Sequence, residues 1–340
     1  MKYLITGANG FLGRHFLATL ARRDTPVRAM LQPGTSAEGL PGQPQVVFSD
    51  LLDPAGLAKA VEGVTHVVHL AARVHQMNDT AENPEAEFFR VNVDGTRCLL
   101  DAAVNAGVRR FLLMSTVKAM GEQETGRFDE THAAAPTDPY GKSKLAAEQA
   151  MFDLASQRGL HAVALRLPMV YGPGAKGNVL ELLKAAETGR KLPIGKIRNQ
   201  RSMIYVGNVV QAALLAVEHD ASAGQVYLVC DDRPYSTREV YAEICKAFGK
   251  PALLRNVPAR LLKFAANIGD LAQRITGRTM PINGGIIRRV AGDLCFSDRK
   301  IGEQLGYVPA TKLAEGIERT VAWYRRGCPP IPSTTVDDQP

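Results

Sequence analysis

Tyr140 and Lys144 stand four residues apart in the stretch Tyr140-Gly141-Lys142-Ser143-Lys144, which opens a helical run from Leu145 to Ser156. On a helix this spacing puts both side chains on one face, about one turn apart. An isolated phenol ionises near pH ~10, and a neighbouring ammonium favours its ionised form. A tyrosine so placed can pass a proton to or from a substrate hydroxyl while a hydride moves elsewhere. Alone, the spacing equally describes the start of a surface helix, so the surrounding elements have to decide.

Those elements alternate. Lys2 to Thr6 reads as a short buried strand, followed by Thr6-Gly7-Ala8-Asn9-Gly10-Phe11-Leu12-Gly13 and a helical pattern through Arg23. Strand, glycine loop and helix form the context in which a backbone turn can approach a pyrophosphate and seat it on a helix N-terminus. Pro26 to Leu31 is a second strand. It ends in Met30-Leu31-Gln32, without the acid that would hold a ribose diol, so NAD and NADP both stay open. Arg28 is nearby but lies within the strand. Val46 to Phe48 is a third strand, and Asp50 after it could accept from an adenine amine or cap the helix that follows Asp53-Pro54. Val64 to Leu70 is a fourth, ending in His69-Leu70-Ala71-Ala72, where small residues admit a cofactor; His69 reads as a packed histidine. Glu85 to Ala106 is one long helical run. Asn92 inside it is mildly unfavourable there and calls for a polar role. Phe111 to Thr116 is a fifth strand ending in the hydroxyls of Ser115 and Thr116, at the edge where open α/β sheets bind ligands. Leu160 to Leu167 is a sixth, and Pro168 follows it.

The 340 residues allow a large core, and 45% apolar with 22% charged residues is ordinary for a globular protein. No apolar run is long enough to span a membrane. Met1-Lys2 leads straight into a strand, and the five scattered cysteines lack metal-ligand spacing, which predicts a reduced, cytoplasmic protein without a structural metal. The net charge is +7, with seven basic residues against one acid between Pro251 and Val290. That excess reads as a solvated face, an anionic-substrate surface or an anionic-membrane surface. Leu261, Leu262, Ala265, Ile268, Leu271, Ala272 and Ile275 recur within it at helical spacing, as an inward-packed or an interfacial helix. Nothing pairs the charge with a platform for nucleic acid. Residues 326–340 read as a disordered tail.

Taken together, the chain resembles the extended short-chain dehydrogenase/reductases, in their NAD-dependent nucleotide-sugar epimerase/dehydratase branch. The likeness is carried by TGANGFLG at 6–13, Asp50, HLAA at 69–72, NVDGT at 92–96, Thr116, YGKSK at 140–144, VYGPG at 170–174 and RSMIYVGNVV at 201–210. It is dense to about residue 232 and thinner to about 325. The fold it implies is a doubly wound parallel α/β sheet (Rossmann-like) with a smaller C-terminal substrate lobe. Residues 1–170 and 201–232 would form the NAD(P)-binding part, and 171–200 and 233–325 the lobe.

The resemblance also implies roles. Tyr140 would be the catalytic acid/base, Lys144 would bind the nicotinamide ribose and lower the Tyr140 pKa, and Thr116 would hydrogen-bond the sugar 4-oxygen, with Ser115 beside it. Gly7, Asn9, Gly10, Phe11, Leu12 and Gly13 would hold the pyrophosphate, while Asp50, Leu51, Leu70, Ala71, Ala72, Asn92 and Pro168 complete the site for NAD or NADP. Asn178 and Arg201 would bind the nucleotide end of a UDP-sugar, and Arg201 suits a diphosphate through its planar fork. Where the 4,6-dehydratases of this branch carry an acidic pair after the catalytic Thr, this chain has Val117 and Lys118, which argues against dehydration. The further likeness is to 4-ketoreductases and 4-epimerases of surface-polysaccharide (O-antigen) synthesis. Arg274 to Arg278 with Ile286 to Arg289 resembles epimerases acting on polyprenyl-diphosphate-linked N-acetylhexosamine, with membrane contact through 255–290. Relatives commonly form homodimers. Members that serve as non-catalytic cofactor sensors typically lose Tyr or Lys, and both stand here.

Overall fold

Seven short apolar runs become the strands β1 (Tyr3–Thr6), β2 (Val27–Leu31), β3 (Gln45–Phe48), β4 (His66–His69), β5 (Arg110–Thr116), β7 (His161–Leu167) and β10 (Gln225–Leu228). They form one parallel sheet in the order β10-β7-β5-β4-β1-β2-β3. Two short parallel pairs stand apart: β6 (Arg127–Phe128) with β11 (Cys295–Phe296), and β8 (Met169–Tyr171) with β9 (Met203–Tyr205). The computed structural model describes residues 1–74, 83–121, 126–194, 197–257 and 292–331. The apolar helical pattern at 261–275, most of the basic stretch and residues 332–340 of the C-terminal tail lie outside them.

Side-chain alternation along the strands builds two cores. Tyr3, Ile5, Leu112, Met114, Val163 and Leu165 face α1 (Phe11–Arg22) and α7 (Val206–Glu218). Leu4, Phe111, Leu113, Ala162 and Ala164 face α2 (Pro54–Val61), α4 (Gly95–Asn105) and α5 (Pro139–Arg158). Burial on both faces explains why these strands read as near-continuous apolar runs. A further core joins α6 (Asn178–Glu187), α8 (Thr237–Ala247) and α10 (Leu313–Arg325) through Leu183, Ile244 and Ile317; α9 (Arg299–Leu305) packs on β10.

The run at 85–106 is not one regular helix. The helix α3 (Pro84–Phe89) passes into a π-helical turn at Arg90–Asp94 and then into α4. Such turns are rare and concentrate at functional sites, and this one carries Asn92.

Asp231, just past β10, ties the two short strands to the sheet. Its buried carboxylate accepts from the Tyr171 hydroxyl at 2.8 Å, the Tyr205 N–H at 3.0 Å and Asn208 Nδ2 at 2.7 Å. Burial pushes its pKa up to about 6, against the lowering by those donors. A carboxyl whose folded-state pKa exceeds its unfolded value, near ~3.9, favours folding below that value and loses the benefit as pH rises through the folded pKa. The unfolding free energy of the wild type minus that of Asp231→Asn should therefore fall by roughly 2–3 kcal/mol between pH ~4 and ~7. Urea denaturation at the two pH values measures it, and a flat difference would refute it.

Candidate active site

The strand order reverses between β1 and β4, and open α/β sheets bind their ligands in the crevice at such a point, outside the strand C-termini. Gly7 to Gly13 leave β1 there, Leu70 to Ala72 leave β4, and Ser115 and Thr116 end β5. Asp50 follows β3, and the buried Pro168 follows β7.

The glycine loop is built for close approach. Gly7 has φ +63°, and a Cβ on it would sit 3.0 Å from the Ala71 nitrogen. A Cβ on Gly13 would sit 2.5 Å from the Gly7 carbonyl oxygen and 2.6 Å from Ala8 Cα. Gly10 caps α1 without a side-chain hydrogen bond. The N–H groups of the first turn, at Phe11, Leu12 and Gly13, therefore keep their donors and the positive helix end. This cradle fits the pyrophosphate of NAD. The Asn9 carbonyl accepts from Arg14 Nε at 3.2 Å, which fixes the loop from outside.

Thr6 and His69 lock the crevice floor. The Thr6 hydroxyl accepts from the N–H groups of Leu70 (3.1 Å) and Ala71 (3.0 Å), so its proton goes to His69 Nδ1 at 2.7 Å. His69 Nε2–H then donates to Thr96 Oγ1 at 3.1 Å, and Thr96 donates to the Asn92 carbonyl at 2.6 Å. His69 is fully enclosed, and burial, helped by the nearby Lys144 charge, pushes its pKa down to about 3. It is a neutral packing histidine.

Asn92 links the crevice to α5. Its Oδ1 accepts from the Arg73 N–H at 2.8 Å, and its Nδ2 donates to the Arg73 carbonyl at 3.0 Å and to Ser143 Oγ at 2.9 Å. Ser143 donates in turn to the Tyr140 carbonyl at 2.8 Å.

The helix α5 begins at Pro139, six residues before the run at Leu145 that the sequence pattern suggests. Asp138 caps it through Gly141 N–H at 3.1 Å and Pro139 takes the first helical position, a pairing that stabilises a helix start by about 1 kcal/mol. The turn Val117–Met120 after Thr116 is stacked on that start: a Cβ on Gly141 would meet the Lys118 carbonyl oxygen at 2.5 Å. Lys118 Nζ lies 3.5 Å from Asp138 Oδ2. The Thr116 turn is thus brought against the helix turn that carries Tyr140, whose ring lies 6.0 Å from that of Phe88.

The electrostatics differ from the expectation for the pair. Burial, with the Asp138 carboxylate second, pushes the Tyr140 phenol up to about 12, and burial pushes Lys144 down to about 8 with Glu148 opposing. Burial, and not the Lys144 ammonium, sets the direction of the Tyr140 shift. At neutral pH the phenol holds its proton beside a charged lysine.

Other candidates fall in different places. Asp50 is exposed and accepts from Leu52 N–H at 2.9 Å, while the α2 cap is Asp53. Leu51 is buried beneath Gly95, with 2.8 Å between its Cβ and a Cβ built on that glycine. Arg28 is anchored on the carbonyls of Lys59, Ala60 and Glu62 at the end of α2. Ser115 donates to Glu148. Asn178 opens α6 and is exposed. Arg201 bridges Tyr235 and Leu294 through its backbone, and its Nη1 donates to the Gly292 carbonyl at 3.1 Å. The residue pattern alone did not point to Asp138, Ser143, Glu148 or Arg166; for Glu148 the available signal was its place one further turn along the face of Tyr140 and Lys144.

Residues 3–230 match the NAD dependent epimerase/dehydratase family. The chain belongs to that family. It is 31% identical over 324 residues to UDP-glucose 4-epimerase of Vibrio cholerae, covering 93% of both chains. It is 28% identical over 325 residues to N-acetyl-alpha-D-glucosaminyl-diphospho-ditrans,octacis-undecaprenol 4-epimerase of Escherichia coli O157:H7, covering 94% of both. Among solved structures, UDP-glucose 4-epimerase of Thermus thermophilus in complex with NAD superposes with a TM-score of 0.73 at 28% identity, over 96% of this chain and 99% of that one. The protein is an NAD-dependent enzyme of the extended short-chain dehydrogenase/reductase class. Among the described residues, no helix is long and apolar enough to cross a membrane.

Proposed function

We propose that this enzyme works at C4 of a UDP-activated (N-acetyl)hexose, as a 4-epimerase or a 4-ketoreductase in cell-surface polysaccharide synthesis. The observation that carries the reading is the Thr116 turn stacked on the first turn of α5, beside the crevice between β1 and β4. Bound NAD or NADP supplies the hydride donor and acceptor. Gly7, Gly10 and Gly13 admit its pyrophosphate to the α1 N-terminus. Thr116 orients the sugar 4-oxygen. Tyr140, protonated at neutral pH, delivers its proton to that oxygen as a 4-keto carbon is reduced; epimerisation starts instead from its phenolate, which takes the 4-hydroxyl proton and returns it when the 4-keto carbon is reduced again. Lys144 holds positive charge beside the phenol and stabilises the phenolate left behind. Lys118 in place of an acid, ion-paired with Asp138, supports hydride chemistry without water elimination.

A second reading, a polyprenyl-diphosphate-linked N-acetylhexosamine, is favoured by the Escherichia coli relative and by the basic stretch at 255–290. A homodimer and a cytoplasmic site of action, at the membrane surface in this second reading, complete the proposal.

NMR of the purified protein with UDP-N-acetylglucosamine and trace NAD is the test. Appearance of the galacto isomer without net cofactor consumption is the result expected of a 4-epimerase on the free nucleotide sugar. If no isomer forms, the 4-keto-6-deoxy sugar with NADPH tests the reductase arm, and the lipid-linked sugar in anionic vesicles tests the second reading. Inertness toward all three would overturn the proposal.

A further inference from the structure

Glu148 lies one turn beyond Lys144 on α5, so Tyr140, Lys144 and Glu148 follow one another along a single helix face. Glu148 is 2% exposed, and both oxygens of its carboxylate are hydrogen-bonded. Arg166, on β7, grips it with Nη2 at 2.6 Å from Oε2 and Nε at 3.1 Å and 3.2 Å from the two oxygens. Ser115, on β5, donates to Oε1. One carboxylate thus joins the helix of the Tyr-Lys pair to the strand that ends in Thr116 and to the strand beyond it.

A buried ion pair is a weak source of stability, because desolvation offsets most of the attraction. The sheet faces on either side are packed with apolar residues that would serve packing better. The place of the pair is informative instead. Lys144 is itself 2% exposed and needs a counter-charge to stay protonated. Among the described residues, Glu148 opposes the lowering of the Lys144 pKa, Tyr140 shares its helix face one turn back, and the neutral His69 of β4 feels its charge; Arg166 is bonded to the Glu148 carboxylate.

We propose that Glu148 is a positioning residue of the active site: held by Arg166, its carboxylate is the buried counter-charge for Lys144 and, through Ser115, the anchor that sets the Thr116 end of β5 against α5. This inference rests on the reading that Tyr140 and Lys144 carry the proton chemistry. The alternative is a tie between helix and sheet with no electrostatic role.

The two differ in sign. Glu148→Gln and Arg166→Met break the same pair, and a mere tie would be lost alike in both. As a counter-charge, Glu148→Gln leaves the Arg166 cation near Lys144 and moves the lysine titration down. Arg166→Met leaves the Glu148 anion and moves it up. The readout is the ¹³Cε shift of Lys144 against pH in lysine-labelled, NAD-bound full-length protein, assigned by comparison with Lys144→Arg. The expected displacements are about one pH unit or more in opposite directions. Should Arg166→Met not fold, the double variant Glu148→Gln/Arg166→Met removes both charges together, and its lysine should titrate above that of Glu148→Gln alone. Displacements of the same sign, no displacement, or a double variant titrating at or below the Glu148→Gln value would overturn the proposal. The titration uses no sugar, so it separates this inference from the choice of substrate. The proposed C4 chemistry fails on its own terms if wild-type protein is inert toward the sugars above.

Discussion

Tyr140→Phe should cut turnover by about 10²–10⁴-fold, the range that a positioned general acid or base contributes, while NAD affinity stays largely unchanged. The substitution removes one oxygen. The ring keeps its packing against Phe88, and the Tyr140 carbonyl keeps its bond from Ser143, because neither contact uses the hydroxyl. The proton donor alone is lost. Steady-state kinetics on the active substrate, with NAD titrated calorimetrically in parallel, separate the two effects. Near-normal turnover would remove Tyr140 from the chemistry. A parallel loss of NAD binding would show that the variant had damaged the crevice instead.

The second large effect concerns the glycine loop. Gly13→Ala should lower NAD affinity by about 10–100-fold, since overpacking against backbone costs roughly 1–3 kcal/mol and each ~1.4 kcal/mol is tenfold. The atoms that a Cβ would meet, at 2.5 Å and 2.6 Å, are the Gly7 oxygen and Ala8 backbone atoms, with no flexible side-chain end to give way. The loop must open, and the phosphate cradle opens with it. Gly302→Ala is the matched control. Its Cβ finds only the Tyr307 carbonyl at 3.5 Å, an ordinary contact, and the residue lies inside α9. There alanine should stabilise by roughly 0.5–1 kcal/mol without touching NAD binding. Calorimetric NAD titration and thermal unfolding of both variants test the contrast. Unchanged affinity in Gly13→Ala would show that the loop relaxes without loss of its geometry.

Much of this was legible in the chain. The six strands read from the residues are all present, displaced at their ends by two residues or fewer, because burial on both faces makes the inner strands near-continuous apolar runs bounded by polar or turn residues, while the edge strand β3 keeps its apolar residues half exposed. The Tyr140 and Lys144 spacing, the glycine loop and the hydroxyls at the end of β5 are local patterns, and local patterns survive in sequence. Asn92 stands out in the sequence because an Asn within a helical run is mildly unfavourable and calls for a polar role. The parallel sheet was implied by the family resemblance that these motifs carry, whereas its switch point, between β1 and β4, is set by the strand order.

The tertiary structure decided what depends on neighbours distant in the chain. Whether Lys144 or burial governs the Tyr140 phenol is a balance between a local charge and water excluded by Phe88 and the surrounding helices, and burial prevails. The cap of α2 passed to Asp53 because only one carboxylate reaches the first-turn N–H groups. Ser115 and Thr116 are adjacent in sequence, yet strand alternation gives the Ser115 hydroxyl to Glu148 and leaves Thr116 at the turn beside α5. Glu148 and Arg166 lie 18 residues apart on separate elements, and no periodicity links them. Which residue types reach the ligand edge of the sheet follows from period and spacing, which are properties of the chain. Their protonation, their partners and the clamp beneath them arise from desolvation and long-range contact, which exist only once the chain is packed.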